Sequence, residues 1–173
     1  MLLNIGVVGS SQAKEGEVSY QIAYEVGRLI AQEKAALICG GMTGIMEAAA
    51  KGCYETKGVV VGILGGIRKN EANSYLTIAL PTGLRITRNS LIAVCSDALI
   101  AISGGAGTLS EITLAIKAKK PVIAIRNSGG ICSNLELLGL AIKFVDTEAE
   151  AVSNAVKLAE AQLKLNTVGT SNT

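Results

Sequence analysis

The chain has 173 residues but no histidine, no tryptophan, one phenylalanine and two prolines. Without histidine, one chain cannot build a Ser-His-Asp or Cys-His nucleophile system, nor a histidine-ligated zinc or iron site. Any proton transfer falls to Glu, Asp, Lys, Tyr, Cys or water. Aromatic residues are 3% of the total, too few to stack bases along a nucleic acid strand. A basic excess is missing as well. Sixteen Lys and Arg against 14 Asp and Glu leave a formal charge of +2, which gives no drive toward a phosphate backbone. Cys39, Cys53, Cys95 and Cys132 form no CxxC pair and have no metal-ligand spacing, so no metal site is expected. Three of them lie in or beside apolar runs, where free cysteine behaves as a small buried hydrophobe. No apolar run reaches the ~18 residues of a membrane span. The N-terminus, MLLNIGVVGSS, lacks the charged region of a signal peptide, and a soluble cytoplasmic protein is expected.

What the chain does have is 49% hydrophobic residues, 20 glycines and only 17% charged side chains, against roughly 25% in typical soluble domains. Ample apolar surface excludes intrinsic disorder. With so few aromatics, the core must be Ile, Val, Leu and Ala, the mixture of a parallel sheet covered by helices on both faces. The length fits one domain, placed at residues 1–165, followed by a flexible tail at 166–173.

Apolar runs alternate with stretches of helical period. Strands are expected at 3–8, 36–39, 59–64, 75–80, 98–102, 121–125 and, as an edge, 141–145. Helices are expected at 18–33, 45–54, 84–95, 109–118, 133–138 and 147–163. Such alternation predicts right-handed crossovers and a single α/β, Rossmann-like, doubly wound parallel sheet. Glycine clusters at 9, 40–41, 65–66 and 104–105 each follow an expected strand, where ligands bind in such folds.

The strongest local signal is DALIAISGGAGTLSEI, residues 97–112, an apolar strand followed by Gly104, Gly105 and Gly107 and a helix opening near Thr108. Glycines let a phosphate approach backbone N–H groups, and a helix N-terminus favours an anion. Thr108 adds a hydroxyl, and Glu111 lies one turn in. Thr108-Leu-Ser-Glu111 equally matches a capping box, a purely structural helix start. The pattern recurs at Ser133–Glu136 and Thr147–Glu150, but only the first copy follows Gly-Gly at the end of a buried strand.

A second signal, CGGMTGIMEAAAKG at 39–52, offers Gly40, Gly41 and Gly44 for close approach and the Thr43 hydroxyl; a tight strand-to-helix turn explains it as well. Gly9 and Ser10 open the first turn, which lacks GxGxxG and a ribose-binding acid ~20 residues on, so an NAD site is not expected. In TGLRITRNS, Arg85 and Arg88 share a helix face and could grip a phosphate or carboxylate by paired hydrogen bonds; ordinary surface arginines would look the same. Asp97 reads as structural, while Arg68 and Lys69 sit in a polar loop that could cover a ligand.

On these residues the chain resembles, over about residues 3–145, the LOG (LONELY GUY) superfamily, long mislabelled "possible lysine decarboxylase". The family pattern PGGxGTxxE falls on Ser103–Glu111, GGxxGLM on Gly40–Met46, and the arginine nine positions before the strand's Asp on Arg88. In that family the GGxGT turn binds the phosphate of a nucleoside 5′-monophosphate, while the arginine and glutamate assist cleavage of the N-glycosidic bond. The resemblance implies that Gly105, Gly107 and Thr108 bind phosphate, that Arg88 orients the substrate, and that Glu111 activates water or stabilises an oxocarbenium-like ribose.

Three departures matter: Ser103 replaces the usual proline, Asn89 the usual lysine after the arginine, and Glu47 a small residue. A carboxylate beside an anion pocket must be paired or must change ligand preference. These features resemble a sister group related to the Rossmann domain of DNA-processing protein A. It includes molybdenum-cofactor carrier proteins, which hold a phosphorylated pterin without necessarily transforming it. A binding or carrier role is therefore favoured over a phosphoribohydrolase. Single-stranded DNA binding comes third, since charge and aromatic content argue against nucleic acid. No required cofactor is implied, pyridoxal phosphate included; molybdenum cofactor or a nucleoside monophosphate is the implied ligand. Family members associate, so a homodimer or homotetramer is implied.

Overall fold

A computed structural model describes residues 2–169, with side chains to residue 165. In chain order the elements are β1 (Asn4–Gly9), α1 (Val18–Gln32), β2 (Ala36–Cys39), α2 (Ile45–Glu55), β3 (Val59–Leu64), β4 (Ile78–Pro81), α3 (Asn89–Cys95), β5 (Ala98–Ile102), α4 (Ala106–Lys117), β6 (Val122–Ile125), β7 (Lys143–Val145) and α5 (Glu148–Gly169). The strands form one sheet in the order β4-β3-β2-β1-β5-β6-β7. Every pairing is parallel. The α/β, Rossmann-like architecture expected from the alternation is the one observed.

Successive side chains of a strand point to opposite faces, which divides the core in two. Ile5 and Val7 of β1 and Ile100 and Ile102 of β5 pack on α1, α2 and α5. Val8, Leu99 and Ala101 pack on α3 and α4 instead. The α1–α2 contact is close because Gly27 and Gly52 carry no side chain: a Cβ at either would strike a backbone carbonyl, of Ala49 or Tyr24 respectively. Asp97 accepts the Asn4 N–H at 2.9 Å, tying the start of β1 to β5, a structural role. Cys39, Cys53 and Cys132 are buried, and Cys95 is exposed. Burial raises the Cys39 and Cys132 thiols to about 11 and Cys53 to about 12, so none of these three is an activated nucleophile. No described helix is long and apolar enough to cross a membrane.

Several boundaries differ from the sequence reading, each for a tertiary reason. The expected helix at 84–95 splits into a 3-10 turn, Arg85–Arg88, and a short α3. The Thr82 hydroxyl donates to Leu64 O at 2.7 Å and Arg85 N–H to Gly65 O at 2.8 Å, pinning this segment to the end of β3. Arg85 takes φ +51, outside the helical region, so it and Arg88 do not share a regular helix face. β4 starts at Ile78 rather than Tyr75, because Asn73 is tied to the β2–α2 turn through Gly41 O and Met42 O. α4 opens at Ala106, two to three residues early. Residues 133–138 form 3-10 turns rather than a helix. α5 continues past Leu163 to Gly169, into the expected tail, of which residues 170–173 lie outside the described residues.

Chain direction through the sheet sets the position of the site. From β1 the chain steps one way to β4, then returns to the other side of β1 for β5, β6 and β7. The reversal between β1 and β5 leaves a crevice at their C-terminal ends, where α/β sheets bind ligands.

Candidate functional site

A cleft of about 660 Å³ opens at that reversal. Gly9 and Ser10 enter it from the end of β1, and Gly105, Gly107 and Thr108 from the start of α4. At Gly105 and Gly107 an added Cβ would meet nothing within 4 Å. The protein's own packing therefore does not call for glycine there; the missing side chains leave bare backbone facing the cleft. Leu109 N–H donates to Gly105 O at 3.0 Å as the first helical bond. The N–H groups just before it have no partner within the helix and carry the positive end of its dipole. Gly105 is the N-cap and makes no side-chain cap bond.

Arg88 and Glu111 form an ion pair at 3.1 Å, with only 10% and 8% of their side chains exposed. The Arg88 Nη1 also donates to Asn89 Oδ1. The side chain that departs from the family pattern thus orients the arginine. Among the described residues, Nη1 carries the hydrogen bonds of this guanidinium, and the buried Nε has none. A buried donor without an acceptor costs about 1–3 kcal/mol, so the group retains capacity for an anion. Burial is the main force on Glu111. It raises the carboxyl to about 7 against the opposing pull of Arg88, so a neutral and an ionised form coexist near pH 7.

Thr108 and Glu111 therefore do not form the capping box their spacing permits. Thr108 lies inside the first turn of α4, buried, and Glu111 turns inward to Arg88. Ser133 and Glu136 form no box either: the hydroxyl donates to Arg126 O and the carboxylate pairs with Arg126. Thr147–Glu150 does form one. The Glu150 N–H donates to Thr147 Oγ1 at 3.2 Å, and the Thr147 N–H donates to Glu150 Oε2 at 3.2 Å.

Of the residues singled out from the sequence, Gly9, Ser10, Arg85, Arg88, Gly105, Gly107, Thr108 and Glu111 come together in the cleft. Gly40, Gly41, Thr43, Gly44 and Gly104 stand outside its lining. Gly40 makes room for the Arg88 guanidinium, which a Cβ there would strike. Gly41, Gly44 and Gly104 take φ of +69, +71 and +92 in the turns that carry the chain out of β2 and β5. The Thr43 hydroxyl donates to Ser11 O at 3.0 Å, a loop-to-loop tie. Glu47 is also off the cleft, on α2 facing Tyr20 across to α1, so it adds no charge to the anion pocket. At Ser103, φ +56 and an N–H donated to Ser128 Oγ are both closed to proline, so the departure from the family motif is a change of backbone. Motif reading missed Gln12, Glu71 and Ile86, which also line the cleft, as do Met42 and Met46 of the GGxxGLM segment. No group of three or more metal-ligating side chains occurs among the described residues.

The SLOG cluster4 family model matches residues 2–161. This chain belongs to the SLOG cluster4 family. An uncharacterized protein of Archaeoglobus fulgidus is 43% identical over 125 residues, 72% of this chain and 81% of its own. Solved structures give the SLOG cluster4 chain two informative neighbours. The molybdenum cofactor binding protein of Rippkaea orientalis is 32% identical, with a TM-score of 0.80 over 94% of this chain and 98% of its own. The Moco carrier protein of Chlamydomonas reinhardtii is 31% identical, with a TM-score of 0.80 over 94% and 99%. DNA-processing protein A of Streptococcus pneumoniae, at 19% identity and TM-score 0.70 over 88% of this chain and 61% of its own, shares the fold alone.

Proposed function

We propose that this chain binds a phosphorylated, nucleotide-like small molecule in the cleft and holds it as a carrier, with molybdenum cofactor, a phosphorylated pterin, as the cargo. The observation that carries the reading is the pair of unneeded glycines, Gly105 and Gly107, beside an arginine with donors to spare. The phosphate lies over the open N-terminus of α4, against Gly9-Ser10, and takes hydrogen bonds from backbone N–H groups, Thr108 and Arg88. Glu111 and Asn89 hold the guanidinium in place. Similarity to proteins that bind and carry molybdenum cofactor supports the choice of cargo.

A second reading, phosphoribohydrolase, rests on the Glu111 carboxyl. At about 7 it is poised to give or take a proton at neutral pH, as a general acid–base group must be. One preparation separates the two. The protein is incubated with molybdenum cofactor or a nucleoside 5′-monophosphate panel, stripped of free ligand and denatured, and the released material is chromatographed. Intact phosphorylated pterin in stoichiometric amount supports the carrier; free base accumulating with time establishes the hydrolase. Gly107→Ala sharpens the test. Replacing a helical glycine raises stability by up to about 1 kcal/mol, while the new methyl fills the phosphate seat. A variant that melts no lower and retains no ligand is expected; full retention would overturn the placement of the phosphate. Homo-oligomer formation belongs to the same reading and is checked by mass in solution.

A further inference from the structure

The cleft also extends away from the N-terminus of α4, along the ends of β1 and β2 to the turn after Gly65-Gly66. That turn follows β3, three strand spacings or about 14 Å from β5. The lining includes Met46 beside the Arg88 guanidinium and then Met42 and Ile86, apolar side chains that suit the faces of a flat ring, together with Arg85. Among them stands one carboxylate, that of Glu71, in the 3-10 turn Lys69–Glu71. Glu71 is exposed at the rim, and among the described residues its carboxylate has neither a hydrogen-bond donor nor a cation as partner. Its place is made by Gly66: a Cβ on Gly66 would coincide with the Glu71 carboxylate. The chain has thus left out a side chain at 66, and a carboxylate occupies the space at the edge of the cleft.

We infer that Glu71 is the specificity-determining residue for the ring of the ligand, and that it selects rings presenting two adjacent donors, a ring N–H beside an exocyclic NH₂. A carboxylate has acceptors only, so its two oxygens match a donor–donor edge. The ring N–H and amino group of the 2-amino-4-oxopyrimidine ring shared by guanine and pterin form such an edge. Adenine offers a donor beside an acceptor, which would face a carboxylate oxygen with a lone pair. Hypoxanthine keeps the ring N–H and lacks the amino group. The inference rests on the phosphate placement proposed above and adds the ligand class: phosphorylated 2-amino-4-oxo heterocycles, guanine nucleotides included.

The test is binding of GMP, IMP and AMP to the full chain by calorimetry, for wild type, Glu71→Gln and Gly66→Ala. In wild type GMP is expected to bind about 10-fold more tightly than AMP, with IMP between them. Glu71→Gln replaces one acceptor by a donor and should bring GMP and AMP within about 2-fold of each other. Gly66→Ala should do the same by pushing the carboxylate aside, with little loss of stability, because what must move is the end of a flexible side chain. Equal affinity of GMP and AMP for wild type, or a preference that survives Glu71→Gln, overturns the role of Glu71 and leaves the phosphate site standing. If none of the three binds wild type, the phosphate placement fails and this inference fails with it.

Discussion

Thr108–Glu111 and Thr147–Glu150 share the pattern Thr-x-x-Glu, and both lie at the start of a helix. At 147–150 the pattern does what its spacing suggests: threonine and glutamate exchange hydrogen bonds with each other's N–H groups and cap α5. There the carboxyl is held below the usual carboxylate range by those N–H and O–H donors, in solvent. At 108–111 the helix has already begun at Ala106, the threonine is buried, and the glutamate meets Arg88 with only 8% of its side chain exposed. Burial pushes that carboxyl the other way, up to about 7. What precedes each pattern decides the outcome. Gly104-Gly105 turn the chain at the end of β5 and start the helix early, so Thr108 and Glu111 point into the crevice at the sheet's reversal.

The largest effect expected from breaking this contrast is on binding. Arg88→Ala should weaken GMP binding at least about 30-fold, because it removes the charged donor and leaves Glu111 buried without its counter-charge. Arg126→Ala, which breaks the exposed pairs with Glu136 and Asp146, should leave the affinity unchanged in the same titration.

Next comes pH. The folded-state value for Glu111 stands above the ordinary 4.5, so the folded protein keeps a proton that the unfolded chain releases. Its contribution is full below about 4.5 and is lost as pH rises through 7, worth about 3 kcal/mol across that window. Denaturant melts of wild type should therefore weaken from pH 5 to pH 8, and Glu111→Gln should flatten the slope. Glu150 has the opposite sign. Its lowered value contributes above the ordinary carboxylate range and is lost as the pH falls through it, so its share disappears only in acid. The smallest effect is on the cap itself: Thr147→Ala should cost about 1 kcal/mol in thermal melts and leave GMP binding unchanged.

The same contrast explains how much of the molecule could be read in advance. β2, β3 and β5 lie at the expected residues, since continuous apolar runs between turn residues have few other ways to be buried. Arg88, Glu111 and the glycines at 105 and 107 were legible because strand, glycine and helix follow one another locally. The break at Arg85–Arg88 was not, because it depends on bonds to Leu64 and Gly65, some 20 residues away. Nor could spacing separate two kinds of glycine. Gly40 yields space to the Arg88 guanidinium and Gly66 to the Glu71 carboxylate, whereas Gly105 and Gly107 yield space to nothing in the protein. Glu71 carried a faint signal: it is the one acid in the polar loop after Gly65-Gly66, but its neighbours in the cleft come from other strands.

The most direct single measurement follows the glutamate carboxyl carbons by NMR through a pH titration, without and with GMP. Glu111 is expected to titrate near 7 and to shift its midpoint when ligand binds beside Arg88, while Glu150 titrates below 4.5 and ignores the ligand. Glu111 titrating with the ordinary glutamates, unmoved by ligand, would contradict the account.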